Sequence, residues 1–268
     1  MSFDRVGARL EAAIEEARRS GTDPDVLAAL NSSCDMFKRR DAFTLKATSE
    51  HSKTLAKISH ETYTHDWQWE HDQGNIPRVF YPRMTSGRLE GQFLKSLVSM
   101  QRAKRILEVG LFMGNGALSM AEALPADGEI VSLETCERLK NLVEEMTKSS
   151  HHAKKIRVEL GPAIETAKKL VKAGEKFDII FLDGDKKDYS TLAKMAFDDN
   201  LLSEGGTLLV DNAFFLGAAY MPSDDSHLAQ GLLDALDSCK APLHRVMVPM
   251  NDGVLMVRRM ADVETDTA

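Results

Sequence analysis

Four apolar runs of this chain each end in an acidic side chain, and this feature constrains the fold more than any other. The runs end at Glu108, Glu134, Asp183 and Asp211. If each run is a buried strand of one parallel sheet, the four carboxylates lie along the edge of the sheet where open α/β sheets bind ligands. Because a buried carboxylate is costly unless it is paired or binds something, the pattern predicts a ligand with hydroxyl groups, a positive charge or a metal ion.

Composition narrows the class of partner. A net charge of −7 over 268 residues argues against a nucleic-acid surface, which needs a basic excess. The three cysteines are far apart in the sequence and predict neither a disulfide framework nor a zinc site. The N-terminus has no secretory h-region, and the longest mostly apolar stretch, 213–222, is too short to span a membrane. We therefore expect a cytoplasmic protein that binds a small molecule and neither nucleic acid nor membrane.

Residues 1–78 are predicted to form a helical N-terminal extension. Apolar residues recur at spacings of three and four from Val6 to Ala17, and Gly21 ends that pattern. A second helix is expected to begin at Thr22 or Asp23, before Pro24, and a third to cover about 49–64. Trp67 and Trp69 are interpreted as packing groups that dock the extension, because aromatic side chains mainly supply buried area.

Residues 79–262 alternate between helix and strand, with a tail at 263–268. The predicted strands are 105–109, 129–133, 156–160, 177–182 and 207–210, and the predicted helices are 86–101, 117–124, 136–148, 163–171 and 189–197. A turn is expected at Gly205 and Gly206, and an antiparallel hairpin at 244–249 and 254–258. The predicted fold class is α/β: a Rossmann-like, doubly wound, mostly parallel seven-stranded sheet with a C-terminal antiparallel hairpin.

The segment Gly110 to Gly116 reads GxxxGxG between a strand and a helix. It is neither the GxGxxG dinucleotide fingerprint nor a P-loop. The glycines alone fit a ligand-binding turn and a plain strand-to-helix turn equally well. The acidic residues favour the ligand, since a carboxylate at Glu134 is placed to accept hydrogen bonds from ribose hydroxyls.

A family resemblance adds to these observations. ILEVGLFMGNGALSMAEALPADGEIVSLE is similar to the first two motifs of class I S-adenosylmethionine-dependent methyltransferases. MTSGRLEGQF, GPA, FLDGDKKDY, VDN and NDGVLMVRR, in that order, resemble the cation-dependent O-methyltransferases of the caffeoyl-CoA and catechol type. The resemblance spans about residues 80–260, and its finer likeness is to bacterial small-molecule members.

The resemblance implies a cofactor site for S-adenosylmethionine. Glu108 and the turn at Gly110 would hold the methionine part, Glu134 the ribose, and Ala163 and Asp185 the adenine. Met84 or Thr85 would close over the methyl end. The full set of implied cofactor residues is Met84, Thr85, Glu108, Gly110, Leu111, Gly114, Gly116, Glu134, Ala163, Asp183 and Asp185. The chain departs from the usual Thr-Gly-Tyr-Ser turn, and the serine hydroxyl expected at Gly116 is absent.

Asp183, Asp211 and Asn212 offer two carboxylates and one amide oxygen from neighbouring strand ends. Oxygen ligands suit a hard cation such as Mg²⁺. A lone Asp-Asn pair would be better explained as a strand-terminating turn, but two such strand ends together with the resemblance favour a metal. Lys186 is the candidate catalytic base, whereas Lys187 is interpreted as a solvated lysine.

The sequence thus predicts a divalent-metal-dependent O-methyltransferase acting on a small vicinal-dioxygen acceptor, catechol-like or an enolic cyclohexenone. The alternatives are a Rossmann-type NAD-dependent oxidoreductase, which the missing GxGxxG disfavours, and a non-catalytic S-adenosylmethionine-binding protein. Asp252 and the loop 212–215 are expected to border the acceptor, with Phe214 or Phe215 as an apolar wall. A homodimer is expected because the extension has amphipathic helices and family members commonly pair.

Overall fold

The computed structural model describes residues 5–221 and 225–264. The helices are α1 (Arg5–Arg19), α2 (Pro24–Ala47), α3 (Lys53–Thr64), α4 (Trp67–Asp72), α5 (Gly87–Gln101), α6 (Asn115–Ala123), α7 (Glu137–Thr147), α8 (Ala163–Lys172), α9 (Tyr189–Asp198) and α10 (Ser226–Asp237). The strands are β1 (Arg105–Val109), β2 (Glu129–Glu134), β3 (Ile156–Leu160), β4 (Phe177–Leu182), β5 (Leu202–Val210), β6 (Leu243–Val248) and β7 (Val254–Arg259). No helix in these two ranges is long and apolar enough to cross a membrane.

The strands form one sheet in the order β3-β2-β1-β4-β5-β7-β6. The first five strands in that order run parallel, and β7 pairs antiparallel with both β5 and β6. The predicted fold class is therefore confirmed. Chain order reverses between β1 and β4, which is the point where such sheets open a ligand crevice.

Strand register sets the composition of that crevice. Val109 pairs with Leu182, and Leu182 pairs with Val210, so the three strands end level with one another. The residues that follow, Gly110, Asp183 and Asp211, therefore lie side by side at the carboxyl edge.

Both faces of the sheet are covered. Alternate residues of the central strands, among them Leu107, Ile180 and Val210, pack beneath α8, α9 and α10. The intervening residues, among them Ile106 and Phe181, pack beneath α5 and α6. This double burial explains why the strands read as continuous apolar runs rather than as alternating ones.

The N-terminal helices fall into two parts. Asp23 caps α2 and Pro24 occupies its first turn, and α1 and α2 then pack chiefly against each other. Helices α3 and α4 dock on α6 and α7, where Trp67 is buried in an apolar cluster. Trp69 is 52% exposed, so the expected docking role applies to Trp67 and is wrong for Trp69.

One local prediction was also wrong, and two helices were missed. Strand β5 begins at Leu202 and passes through the expected Gly205-Gly206 turn, because a register shift against β4 absorbs the extra residues. Helices α4 and α10 were not predicted. Residues 265–268 of the predicted tail lie outside the described residues.

Candidate functional site

The turn between β1 and α6 runs unusually close to its neighbours. Gly110 has φ of 102° and lies so close to the Asp183 carbonyl oxygen that a side chain cannot fit. Gly114 has φ of 75°, and a Cβ atom there would lie 2.8 Å from Val143 Cγ1 on α7. Phe112, which is not a glycine, also takes a left-handed conformation at φ 44°. Backbone strain of this kind clusters at ligand sites, which favours a ligand-binding turn over a plain connection.

A narrow cleft opens beside this turn, at the junction of β1 and β4. Six of the implied cofactor residues line it: Met84, Thr85, Glu108, Gly110, Leu111 and Asp183. Ser86, Phe112, Met113 and Asn115 line it as well and were not predicted. Ser86 directly follows the predicted Met84-Thr85 pair, so the prediction for this segment ended one residue too early. The cleft therefore brings together the start of α5 and the glycine turn.

Glu108 is buried at the end of β1 and accepts a hydrogen bond from the Ser132 hydroxyl of β2. Burial raises the pKa of its carboxyl group to about 8, although the Ser132 hydrogen bond opposes this effect. Among the described residues, no basic side chain forms an ion pair with Glu108. A buried carboxylate without a cationic partner suits a ligand that brings its own ammonium group, as S-adenosylmethionine does.

Gly116 lies directly against that carboxylate. A Cβ atom there would lie 2.8 Å from Glu108 Oε1 and 3.4 Å from Ser86 Oγ. The space that a serine side chain would need at this position is thus occupied by Glu108. Gly116 belongs to the wall that holds Glu108, although it does not itself line the cleft.

Glu134 ends β2 beside the glycine turn. Its carboxylate accepts hydrogen bonds from the backbone amides of Thr135 at 2.7 Å, Cys136 at 2.9 Å and Phe112 at 3.2 Å. These bonds fix the carboxylate at the carboxyl edge of the sheet, where it could accept hydroxyl hydrogen bonds.

The two residues expected beside adenine lie further along the same edge. Ala163 is the first residue of α8, and Asp185 is an exposed cap that pairs with Lys187 at 2.8 Å. Neither they nor Gly114 and Glu134 line the narrow cleft. Their predicted roles therefore need a ligand that extends out of it.

Asp183 and Asp211 follow the ends of β4 and β5, and they lie close enough for the charge of Asp183 to act on Asp211. Burial raises the pKa of Asp183 to about 6 and holds the pKa of Asp211 well above its usual range. Asp211 Oδ1 is buried without a hydrogen-bond partner, and the neighbouring Asn212 adopts φ of 52°. A buried carboxyl group with an unsatisfied oxygen, beside a second carboxyl group that is 17% exposed, suits a hard cation that solvent and substrate can also reach.

Within residues 5–221 and 225–264, no group of three or more His, Cys, Asp or Glu side chains is arranged to hold a metal ion. The amide oxygen of Asn212 would therefore have to complete the ligand set with Asp183 and Asp211. Such a set of three oxygen ligands leaves room for solvent and substrate around Mg²⁺.

The two lysines after β4 differ as expected. Lys186 is partly buried, with Nζ 3.6 Å from Asp183 Oδ1, and it donates a 2.7 Å hydrogen bond to Tyr189 Oη. Tyr189 is fully buried, and burial followed by the charge of Asp183 raises its phenol pKa well above the usual value. Lys187 is exposed and pairs with Asp185. Lys186 is thus held beside the acidic pair, while Lys187 faces solvent.

Glu90 belongs to the same region and was missed. It lies in the first turn of α5, is 1% exposed, and accepts a 3.1 Å hydrogen bond from Asn251 Nδ2. An acid early in a helix is typical of a solvent-facing position. The signal that could have identified it is the spacing of Glu90, Leu94 and Val98, which places the acid on the buried stripe of the helix.

An apolar cavity of about 600 Å³ lies under the loop that follows Asn212. Phe215 lines it together with residues of α10 and the hairpin, among them Leu232, Leu233 and Leu255. Phe214 packs on Gly253 and on the Tyr220 ring instead. Asp252 is buried and accepts the backbone amide of Leu216 at 2.9 Å, so it holds the loop in place.

The chain is similar to known O-methyltransferases in sequence. The family model for O-methyltransferase matches residues 49–260, which leaves α1 and α2 outside the match. Caffeoyl-CoA O-methyltransferase 1 of Eucalyptus globulus is 30% identical over 188 residues, covering 66% of this chain and 76% of that protein. Caffeoyl-CoA O-methyltransferase 2 of Petunia hybrida is 29% identical, covering 66% and 77%.

Solved structures show the same fold. The S-adenosylhomocysteine-bound methyltransferase PaMTH1 of Podospora anserina superposes with a TM-score of 0.67 at 25% identity, covering 84% of this chain and 95% of that one. The O-methyltransferase TomG of Streptomyces achromogenes gives a TM-score of 0.65 at 22% identity, covering 81% and 94%. These matches favour the methyltransferase over the oxidoreductase hypothesis, and the chain belongs to the S-adenosylmethionine-dependent O-methyltransferase family, in the group that contains the caffeoyl-CoA O-methyltransferases.

Proposed function

We propose that this enzyme is a divalent-cation-dependent O-methyltransferase that methylates one hydroxyl of a small acceptor with two neighbouring oxygens, catechol-like or an enolic cyclohexenone. The main support is the Asp183–Asp211 pair, in which Asp211 has a buried, unsatisfied oxygen and which lies on the same sheet edge as the cofactor cleft. When bound there, a divalent cation would stabilise negative charge on the acceptor oxygen and fix two oxygens of one molecule.

The chain's own residues would perform the remaining steps. Glu108 binds the ammonium group of the methyl donor, and the glycine turn positions its carboxylate and sulfonium. Lys186 Nζ, acting in its neutral amine form, takes the proton of the acceptor hydroxyl and becomes an ammonium group. The oxygen then forms a bond to the methyl carbon while the carbon–sulfur bond breaks and its electron pair stays on sulfur. Holding the two reactants in line supplies much of the reduction in barrier.

The apolar cavity is the proposed site for the body of the acceptor. It begins at Ala213, the neighbour of the proposed ligand Asn212. Its lining is mainly aliphatic and aromatic, so it favours an uncharged ring over a highly charged acceptor. Phe215 is the proposed apolar wall.

Methyl transfer to a panel of catechols and cyclohexenone enols, with and without EDTA, tests this proposal. We expect activity to disappear in EDTA, to return with Mg²⁺, and to be lost in Asp211→Asn. The matched control is Asp127→Asn, at the opposite edge of the sheet, where Asp127 makes an exposed pair with Lys104. Full activity in EDTA would contradict cation dependence. Tight cofactor binding without turnover on any acceptor would support the non-catalytic alternative.

We also propose that the enzyme is a homodimer that uses the α1–α2 hairpin. Met36 and Phe43, seven residues apart on α2, are each 69% exposed and lie on one helix face. Two large apolar side chains on an otherwise weakly packed hairpin suit a contact with a second copy. Light scattering should give twice the chain mass for the natural protein and a monomer for Met36→Glu/Phe43→Glu. A monomeric natural protein would refute the proposal.

A further inference from the structure

Glu90 differs from the other buried acids in that one of its carboxylate oxygens accepts a hydrogen bond and the other has no partner among the described residues. Oε2 accepts the Asn251 amide at 3.1 Å, whereas Oε1 is buried without a partner. Asn251 has φ of 50° in the hairpin turn between β6 and β7. The turn thus reaches across the sheet edge and fixes a helix carboxylate at a buried position.

Other polar atoms packed against this end of α5 are also unsatisfied. Asp211 Oδ1, both polar side-chain atoms of Asn115, and Ser119 Oγ are buried and have no hydrogen-bond partner within the described residues. Helices α5 and α6 approach closely here, since a Cβ atom at Gly91 would lie 2.6 Å from Ser119 Oγ. Buried polar groups are rarely left unpaired, and ordered water often pairs them. The unsatisfied oxygens of Glu90 and Asp211, which act on each other electrostatically, therefore need water or an ion to complete their interactions.

Charge points to the same conclusion. Besides its own burial, Glu90 experiences the carboxylates of Asp211 and Asp183, and Lys186 is the basic group that acts on it. Three acidic groups thus face one ammonium group. Such an arrangement opposes folding unless something positively charged is bound.

We propose, resting on the cation-dependent function above, that Glu90 is a positioning residue for the cation. Asn251 holds Glu90 in place, and Glu90 lies outside the ligand set. It supplies negative charge near the cation and, through buried water, fixes the free oxygen of Asp211. Outer groups of this kind typically alter metal affinity by about 10–100-fold. Glu90 is therefore expected to lower the stability of the cation-free protein and to raise its affinity for the cation.

Opposite effects of one substitution test this inference. Glu90→Gln keeps an oxygen that can accept from Asn251 and removes the charge. Titration with Mg²⁺ by calorimetry, or with Mn²⁺ by electron paramagnetic resonance, should show affinity at least tenfold lower than in the natural protein. The thermal midpoint of the EDTA-treated protein should rise, because a buried like-charged group is gone. Asn251→Gly keeps a residue that tolerates the left-handed backbone but removes the hydrogen bond to Glu90. It should lower the affinity for the cation without raising the thermal midpoint.

Glu122→Gln is the matched control, since Glu122 is a largely buried glutamate paired with Lys95 away from the site. It should lower the thermal midpoint and leave cation affinity unchanged. If the natural protein binds the cation and Glu90→Gln binds it equally well, the inference is wrong and the proposed function stands. If Glu90→Gln lowers both the midpoint and the affinity, Glu90 is merely structural and the inference is again wrong. If the natural protein binds no cation, both proposals fail.

Discussion

Glu108 Oε1 lies 2.8 Å from the place where a Cβ atom of residue 116 would be, so the glycine at 116 and the buried carboxylate share one space. In the resembling family a serine is usual at this point of the turn. In this chain the first contact of any side chain at 116 is with Glu108, which Ser132 and complete burial hold in place. The departure from the family pattern is therefore coupled to the position of Glu108.

Gly116→Ala is expected to lower affinity for S-adenosylmethionine about tenfold, because the new methyl group must displace the carboxylate that binds the ammonium group. In helices, replacing glycine by alanine otherwise stabilises a protein by about 1 kcal/mol. Gly231→Ala on α10, where a Cβ atom would make an ordinary 3.5 Å contact, is the control. Calorimetric titration compares the two variants, and unchanged affinity in Gly116→Ala would show that the shared space has no role in binding.

Glu108→Gln should weaken cofactor binding and stabilise the cofactor-free protein. Since burial raises the pKa of Glu108 to about 8, above its value in the unfolded chain, its contribution to stability is full below pH 4.5 and is lost as the pH rises through 8. The cofactor-free natural protein should thus lose part of its stability between pH 5 and pH 8, and the variant should lose less. Urea unfolding at both pH values measures this, and parallel losses in the two proteins would contradict the assignment.

How far the sequence predicts this site depends on what determines each part. Strands β1, β3 and β4 were predicted with the observed bounds, because each is a short run rich in strand-forming residues between turn or loop residues. The acidic residues at the ends of β1, β2, β4 and β5 were visible in the same sequence pattern. The bulge in β5 could not be read, because Gly205-Gly206 is equally suited to a turn and to a register shift.

The site residues that the sequence analysis missed are mainly those that other elements bring into the site. Glu90 is buried because Asn251, more than 160 positions away, meets it across the sheet edge. The cavity was missed together with α10, although Ala229, Leu232 and Leu236 recur at helical spacing. Whether such a helix covers a pocket or fills it depends on tertiary packing, which a single sequence does not contain.

The ion pair between Glu70 and Arg138 should make the enzyme sensitive to acid. Glu70 is buried and bonded to Arg138, Asn75 and His65, and the Arg138 hydrogen bonds lead in lowering its pKa to about 2. Because the folded pKa is depressed, the pair stabilises the protein above about pH 4.5, and this contribution is lost as the pH falls through 2.

Arg138→Met should therefore destabilise the protein at pH 7 by about 2 kcal/mol, a value below that for fully buried pairs because Arg138 is partly exposed. The loss should be smaller at pH 3. Chemical denaturation at the two pH values measures the difference, and Arg18→Met, which removes an exposed pair with Glu15, is the control. An equal loss at both pH values would refute the linkage.

Filling the apolar cavity should affect the acceptor and spare the cofactor. Leu233→Trp places a larger side chain at its lining, so we expect the acceptor KM to rise several-fold while cofactor affinity stays within about twofold. Val246→Trp, on the neighbouring edge strand and outside the lining, should change neither value. A rise in KM for both variants would mean that the effect is not specific to the cavity.

Lys186 provides the most direct test of the chemistry, because it is the proposed base and its side chain is held beside Asp183 and Tyr189. Its ammonium group lies 3.6 Å from Asp183 Oδ1 and 2.7 Å from the buried Tyr189 hydroxyl, whereas Lys187 is exposed. Lys186→Met should lower kcat by about 10²–10⁴-fold, the usual contribution of a positioned base, and leave cofactor affinity within about twofold. Lys187→Met should retain full activity.

Tyr189→Phe removes the hydroxyl that positions Lys186 and should shift the pH profile of kcat rather than abolish turnover. If Lys186→Met retains the natural rate with an acceptor whose hydroxyl is ionised only above neutral pH, another group must take the proton.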